Sequence, residues 1–491
     1  MNDILYYGDN LDILRKYISD DSVDLIYLDP PFNSKANYNI LYKEPTGEPS
    51  KAQVTAFEDT WHWTEEAEKA FHEIVEKAPA SVVEMMTAFR QFIKHNDIMA
   101  YLTMMCIRLL ELKRVLKDTG SIYLHCDPTA SHYLKIVMDT IFEVKNFRNE
   151  IIWGYSGGGI PTKDFPRKHD IILRYSKTDK CFFVPIYRPY TRGTIERGRT
   201  AIKGNKVLNP EGTPIPDWWF SNLECDHCGN KLTANLKRIV SPTDPENLGY
   251  PTQKPEELLE RIIKASSKEG DIILDPFCGC GTTVAVAQKL KRNWIGIDIT
   301  HLAINIIKWR IKSTFGLEPK KDYKVVGEPE DLTGAVELAS QNRYQFQWWA
   351  LSLVDARPYG DKKRGADTGI DGFIYFVEEK NKIGKAIVQV KSGNTSVKDI
   401  RDLGHVLERE KAEIGVFISL HEATEPMRTE AVMKGFYKSK ILQKDYQRIQ
   451  ILTINEILNE KQPAIPYHIQ PYKKAEMVDT SENLTLDFEQ E

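Results

Sequence analysis

The chain has few cysteines, no long apolar run and no excess of positive charge. Seven cysteines in 491 residues, unevenly spaced, do not make a disulfide framework, so a reducing, cytoplasmic compartment is expected. No apolar run reaches membrane-spanning length, and Met1-Asn2-Asp3-Ile4 does not open a signal peptide, so no membrane partner is expected. No G-x-x-x-x-G-K-[ST] phosphate loop occurs, which argues against an ATP requirement. The net charge of -4 excludes a chain that is basic overall, so any nucleic-acid surface must be local. What remains is an ordinary globular composition, 41% hydrophobic and 28% charged, with length for two or three domains.

The first distinctive stretch is Asp29-Pro30-Pro31-Phe32. It follows the apolar run Val23-Asp24-Leu25-Ile26-Tyr27-Leu28, which reads as a buried strand. Two prolines cannot extend a ladder, because proline donates no hydrogen bond. A break at the carboxyl end of a strand in an open α/β sheet is where ligands sit. The group suits an exocyclic amine: the Asp29 carboxylate accepts one N–H, the Pro30 carbonyl accepts the other, and Phe32 offers a face for stacking. Alone, the four residues could equally be an acidic cap before a proline turn.

The surrounding pattern is strand, helix, strand. Residues 4–12 carry a short strand ending at Gly8-Asp9-Asn10, followed by a helix through Leu11, Leu14 and Ile18. Residues 33–96 read as a polar, irregular excursion around Trp61 and Trp63, lying over a site, lying along DNA, or packed on its own tryptophans. Further helices are expected over 97–117 and 131–142, and strands over 121–127, 151–153 and 169–175.

From 185 to 250 the regular pattern fades. Arg188, Arg192, Arg197, Arg199, Lys203 and Lys206 fall within twenty residues against one acid, Glu196, with Tyr187 and Tyr190 interleaved. Such a segment fits a DNA-contacting surface, or else a solvated loop. Cys225-Asp226-His227-Cys228 resembles half of a zinc knuckle, but no second pair lies at suitable spacing, and zinc stays open.

The second anchor is Ile272-Ile273-Leu274-Asp275-Pro276-Phe277-Cys278-Gly279-Cys280-Gly281-Thr282-Thr283. It reads as a strand, an acidic turn, a glycine loop and a helix start, and Asp298 ends the next strand. That arrangement suits a nucleoside, the later acid taking ribose hydroxyls. The spacing departs from G-x-G-x-x-G, which fits a cofactor without a pyrophosphate.

These motifs, in this order, resemble the β class of S-adenosylmethionine-dependent DNA amino-methyltransferases over about residues 4–315. The resemblance implies a Rossmann-like α/β sheet with circularly permuted motif order. It implies methyl transfer at Asp29, Pro30, Pro31 and Phe32, on a base flipped out of duplex DNA. It implies that Gly8 and Asp9 lie near the cofactor's adenine, Thr252 and Lys254 near its methionine end, and Asp298 at its ribose. Asp275, Pro276, Phe277, Gly279, Gly281 and Thr282 would wrap the rest. Asp at the first motif position goes with adenine N6 in this family, and Ser with cytosine N4, so adenine is favoured. A homodimer is left open.

After Gly316 the pattern changes, with a linker expected over 319–334. Residues 335–353 read as a helix with Trp348 and Trp349 in a core. Asp371, Gln389 and Lys391 resemble a PD-(D/E)xK nuclease core of the Mrr-like branch, a smaller α/β domain over 335–460. That resemblance implies Mg2+ held by Asp371 and Gln389, with Lys391 orienting water, and Glu337 or Asp367 as a further acid. A domain of this kind could cut DNA or only bind it. Residues 461–491 form a C-terminal extension; from Ala475 onward they contain six acids and no Lys or Arg and read as a disordered tail.

Overall fold

The computed structural model describes residues 3–31, 37–43, 49–58, 62–155, 162–190, 192–198, 207–220, 244–248, 250, 252–359, 369–379, 382–466 and 468–469. Its larger sheet has nine strands. In chain order these are Ile4–Tyr7 (β1), Val23–Leu28 (β2), Leu116–Cys126 (β3), Phe147–Gly154 (β4), His169–Ser176 (β5), Trp218–Phe220 (β6), Ile272–Asp275 (β7), Asn293–Asp298 (β8) and Lys324–Val326 (β9). They lie in the order β6-β4-β5-β3-β2-β7-β8-β1-β9. β5 runs antiparallel to β3 and β4; the other neighbours are parallel. The central strands are near-continuous apolar runs because helices cover both faces.

One face is covered by Asn10–Tyr17 (α1), Glu65–Lys77 (α2), Ala80–Ile93 (α3), Asp97–Val115 (α4) and Ser131–Phe142 (α5), packed on Tyr6, Ile26, Leu28, Ile122 and Leu124. The other is covered by Glu256–Ser266 (α6), Thr282–Lys289 (α7) and His301–Phe315 (α8), packed on Leu5, Leu25, Tyr123 and Ile273. β2 and β7 are neighbours, pairing Leu25 with Ile273 and Ile26 with Leu274. From β2 the chain proceeds to β3 on one side; from β7 it proceeds to β8 on the other. The crevice between their carboxyl ends is therefore a topological switch point, where open α/β sheets bind ligands.

Three sequence expectations need correcting. Residues 33–96 are not irregular throughout: they include a hairpin, Asn37–Lys43 with Pro49–Glu58, and helices α2 and α3. Phe71, Ile74, Val82, Met86 and Phe89 are buried at helical spacing, but the many charges between them dilute the pattern. Trp63 packs beside Phe71 and donates to Glu68 Oε2 at 2.9 Å; Trp61 lies outside the described residues. The 319–334 segment is not wholly a linker, because β9 inside it pairs with β1. Residues 335–353 hold two helices, Leu332–Gln341 (α9) and Arg343–Ser352 (α10), split where Asn342 Oδ1 accepts the Tyr344 and Gln345 amides.

The smaller sheet contains Arg357–Pro358 (β10), Gly372–Glu379 (β11), Lys382–Lys391 (β12), Ile414–Ser419 (β13) and Ile449–Thr453 (β14), with His468–Ile469 (β15) beside β11. β11 and β12 are antiparallel; β12, β13 and β14 are parallel, with the helix Val397–Glu410 (α11) crossing between β12 and β13. Trp349 is in this domain's core. Trp348 packs against this core and also on Leu302, Ala303, Ile306 and Trp309, and the His301 amide donates to Gln345 Oε1 at 3.2 Å, so α10 also rests on α8. Among the described residues no helix is long and apolar enough to cross a membrane.

Candidate functional site

At the switch point lies a cavity of about 270 Å3. Gly8, Asp9, Asp29, Pro30, Pro31, Thr252, Lys254, Asp275, Pro276, Phe277, Gly279, Thr282 and Asp298 line it. Twelve of these thirteen come from two elements of local grammar: strand ends that stop in a turn, and the Thr252-Gln253-Lys254 bend. Gly281 stands just behind, and Phe32 lies outside the described residues.

The loop after β7 is shaped by its glycines. Gly279 has φ +50° and Gly281 φ +73°, the left-handed region where a Cβ is strained. A Cβ on Gly281 would also stand 2.7 Å from Ile307 Cγ1. Asp275 Oδ1 accepts the Phe277 amide at 3.0 Å, and Oδ2 accepts the Thr283 hydroxyl at 2.5 Å, so this buried carboxyl ties the loop to the helix it precedes. Asp298 Oδ2 accepts the Gly279 amide at 3.0 Å; its Oδ1 accepts both the amide and the hydroxyl of Thr300 at 2.9 Å. Burial pushes the Asp275 carboxyl up to about 7 and Asp298 up to about 6, and the Asp29 charge adds to the rise at Asp275.

Asp29 faces Lys254 across the cavity: Lys254 Nζ donates to Asp29 Oδ2 at 2.5 Å. Sequence reasoning assigned these residues to opposite reactants, and the structure pairs them. Lys254 is aimed by a strained bend. Thr252 has φ +61°, and buried Gln253 accepts the Leu248 amide at 2.9 Å while donating to the Glu246 carbonyl at 2.6 Å.

Several supporting residues were missed. Arg108, buried inside α4, donates to Asp9 at 2.8 Å and to Asn10 Oδ1 at 2.6 Å; Asn10 in turn donates to the Pro276 carbonyl at 2.8 Å. An arginine inside the apolar run of residues 98–110 was the available signal. Arg310, also buried, bridges Glu256 at 2.6 Å, the Thr282 hydroxyl at 3.2 Å and the Cys280 carbonyl at 3.3 Å. Behind Asp29, the Tyr27 hydroxyl meets His125 Nδ1 at 2.8 Å, and His125 Nε2 meets Asp170 Oδ2 at 3.1 Å. Burial alone would raise the Asp170 carboxyl, but its contact with His125 and the Lys254 charge hold it below the usual range. An ionised Asp170 accepts the Nε2 proton of His125, which leaves Nδ1 to the Tyr27 hydroxyl.

The basic segment is only partly described. Arg188 is half-buried, and exposed Arg197 donates to its own helix at Thr194 Oγ1. Arg192 is helical with no side chain described, and Arg199, Lys203, Lys206, Cys225 and Cys228 lie outside the described residues.

In the smaller domain Gln389 and Lys391 share one face of β12. Asp371, just before β11, accepts the Val390 amide at 2.7 Å through Oδ2. Glu337 is exposed on α9 and accepts from Gln341, and Asp367 lies outside the described residues. Among the described residues no three acids, histidines or cysteines cluster as a metal site would require. One carboxylate with an oxygen already engaged, plus a neutral amide, fits Mg2+ poorly.

Comparisons with known proteins agree with the larger domain. Residues 23–308, more than half of the chain, match the family model for N6/N4 methyltransferases described as DNA methylase. Residues 345–459 match a model described as NACHT-associated inactive Restriction Endonuclease 1. The Type II methyltransferase M.HpaI of Haemophilus parainfluenzae is 34% identical over 249 residues, covering 51% of this chain and 71% of that one. M.EcaI of Enterobacter cloacae is 29% identical over 278 residues, covering 46% and 60%. Among solved structures, the cytosine-N4-specific PvuII DNA methyltransferase aligns over 62% of this chain and 84% of its own, at 14% identity and a TM-score of 0.35. The chain belongs to the N6/N4 DNA methylase family.

Proposed function

We propose that the larger domain transfers a methyl group from S-adenosylmethionine to adenine N6 in duplex DNA. The observation that carries this is Asp29, held at the end of β2 and opening onto the cavity walled by the Asp275–Gly281 loop. The residues suit that cofactor. Asp298 keeps acceptor capacity on Oδ2 for a ribose hydroxyl, and Asp29, Asp275 and Asp298 outnumber the cavity's cations, as a positively charged ligand requires. When bound, S-adenosylmethionine supplies an electrophilic methyl group on a sulfonium.

The chain's own residues then have defined tasks. Asp29 and the Pro30 carbonyl accept the two amine N–H groups, which frees the nitrogen lone pair from the ring. Asp29 also offsets the positive charge that the amine gains. Lys254 holds Asp29 oriented through their hydrogen bond until the base arrives. The rate comes from positioning and from charge placed in advance. The basic residues of 185–250, including Arg188, Arg192, Arg197, Arg199, Lys203 and Lys206, contact the DNA backbone in this reading.

The carboxyl groups give a pH test. Binding a cationic ligand favours the ionised forms of Asp275 and Asp298, so it lowers their proton affinity and releases protons. Cofactor affinity should therefore rise with pH through the window of about 6 to 7 set by those two groups. Calorimetry in buffers of different ionisation enthalpy measures the release. Proton uptake, or affinity that falls across that window, would contradict it.

For the smaller domain the reading is a nuclease-like fold that binds DNA without cutting it. The neutral Gln389 and the engaged Asp371 favour this over an Mg2+-dependent endonuclease, and the description of the matched model points the same way. Plasmid incubated with the full chain and Mg2+ should stay supercoiled. Lys391→Ala should weaken DNA binding severalfold and reduce its salt dependence. Nicking that disappears in Lys391→Ala would establish the endonuclease instead.

A further inference from the structure

A second cavity, of about 220 Å3, is lined by β3, β4, β5, α6 and the stem leading to β6, and plays no part in the site above. Its polar feature is Arg174 on β5. This residue is 4% exposed, and neither its Nε nor its Nη2 has a hydrogen-bond partner among the described residues. The guanidinium lies 4.1 Å from the centre of the Phe183 ring and 5.7 Å from that of Tyr123. The Tyr123 hydroxyl also hydrogen-bonds the guanidinium, but it leaves Nε and Nη2 empty, and a buried cation with empty donors is costly. A buried unsatisfied group of this kind points to a missing partner.

The pattern of empty donors is informative. Nε and Nη2 form the side-on edge of the guanidinium, which matches the two oxygens of one carboxylate. Apart from Asn149, Asp217 and Arg261, the remaining wall is apolar, with Ile151, Phe183, Ile186, Ile215 and Trp219. Arg261 adds a second cation over the Trp219 ring at 5.1 Å, against the one acid, Asp217. The net charge of the lining is therefore positive, while its surface is aromatic and aliphatic.

We propose that this cavity binds a small aromatic carboxylate, held side-on by Arg174 with its ring among Phe183, Ile215 and Trp219. The ligand joins the sheet to Ile186 and Trp219, which flank the basic segment. It thus occupies a position from which it can steady that segment against the sheet. The inference is independent of the methyl-transfer reading.

The test uses the full chain and three probes in calorimetry: 2-naphthoate, its neutral amide 2-naphthamide, and inorganic phosphate. Naphthoate should bind, with the amide and phosphate each at least about tenfold weaker, since one carries no charge and the other no apolar body. Arg174→Gln should lose naphthoate binding by a similar factor. If that variant fails to fold, the acid-to-amide ratio on the natural chain still decides the matter. Equal binding of acid and amide, no binding of naphthoate, or a crystal structure with Glu224 or Asp226 of this chain seated on Arg174 would overturn the proposal.

Discussion

Asp29→Ala should fold normally and transfer methyl groups at least on the order of 10²- to 10³-fold more slowly than the natural chain. The side chain lies at the rim of β2, outside both hydrophobic cores, so its loss leaves no core cavity. Two effects add. One acceptor for the amine disappears, and so does the charge that balances the methylated nitrogen. The Lys254 ammonium, now without Asp29, remains in the cavity and opposes a second positive charge. Two unit charges about 4 Å apart interact by roughly 4 kcal/mol at the effective dielectric of a protein surface. Single-turnover rates at saturating cofactor measure the chemical step alone. Asp29→Asn, which keeps an acceptor but loses the charge, should fall between. A loss in Asp29→Ala of less than tenfold would remove Asp29 from the chemistry.

The second large effect is expected at Asp298. It accepts from Gly279 at one oxygen, from Thr300 twice at the other, and from the Ile299 backbone. Asp298→Asn keeps the size but must turn an NH2 group toward donors on one side. Facing Gly279, it pushes the glycine loop away; facing Thr300, it loosens the start of α8. Either way the ribose also loses a charged acceptor. A hydrogen bond to a charged group contributes about 1.5–3 kcal/mol, so a loss of roughly 10- to 150-fold in cofactor affinity is expected. The rate at saturating cofactor should change much less. Calorimetry and saturation kinetics separate the two. Unchanged affinity would mean that Asp298 shapes the loop without touching the ligand.

Much of the larger domain was legible because its chemistry is local. A strand that ends in two prolines must stop there, and Gly279 and Gly281 occupy φ values that other residues resist. Asp29, Asp275 and Asp298 could therefore be placed at strand ends from sequence alone, and all three meet at one cavity. What stayed hidden is tertiary. Nothing in Lys254's neighbours shows that it pairs with Asp29, 225 residues away. Arg108 looked like one more residue of α4, yet it holds Asp9 and Asn10 at the other wall. β9 is three residues long, too short for any periodicity to register, and it forms a strand only because β1 offers an open edge. In the smaller domain, alternation correctly placed Gln389 and Lys391 on one face. It could not show that Asp371 already accepts the Val390 amide, which is what weakens the case for a metal.

The most direct test is the identity of the methylated nucleoside. The purified full chain is incubated with duplex DNA and isotopically labelled S-adenosylmethionine. The DNA is then digested to nucleosides and resolved by mass spectrometry, with Asp29→Ala in parallel. The expected result is label in N6-methyladenine only, absent from the Asp29→Ala sample. Label in N4-methylcytosine, or no label in DNA at all, would contradict adenine methylation.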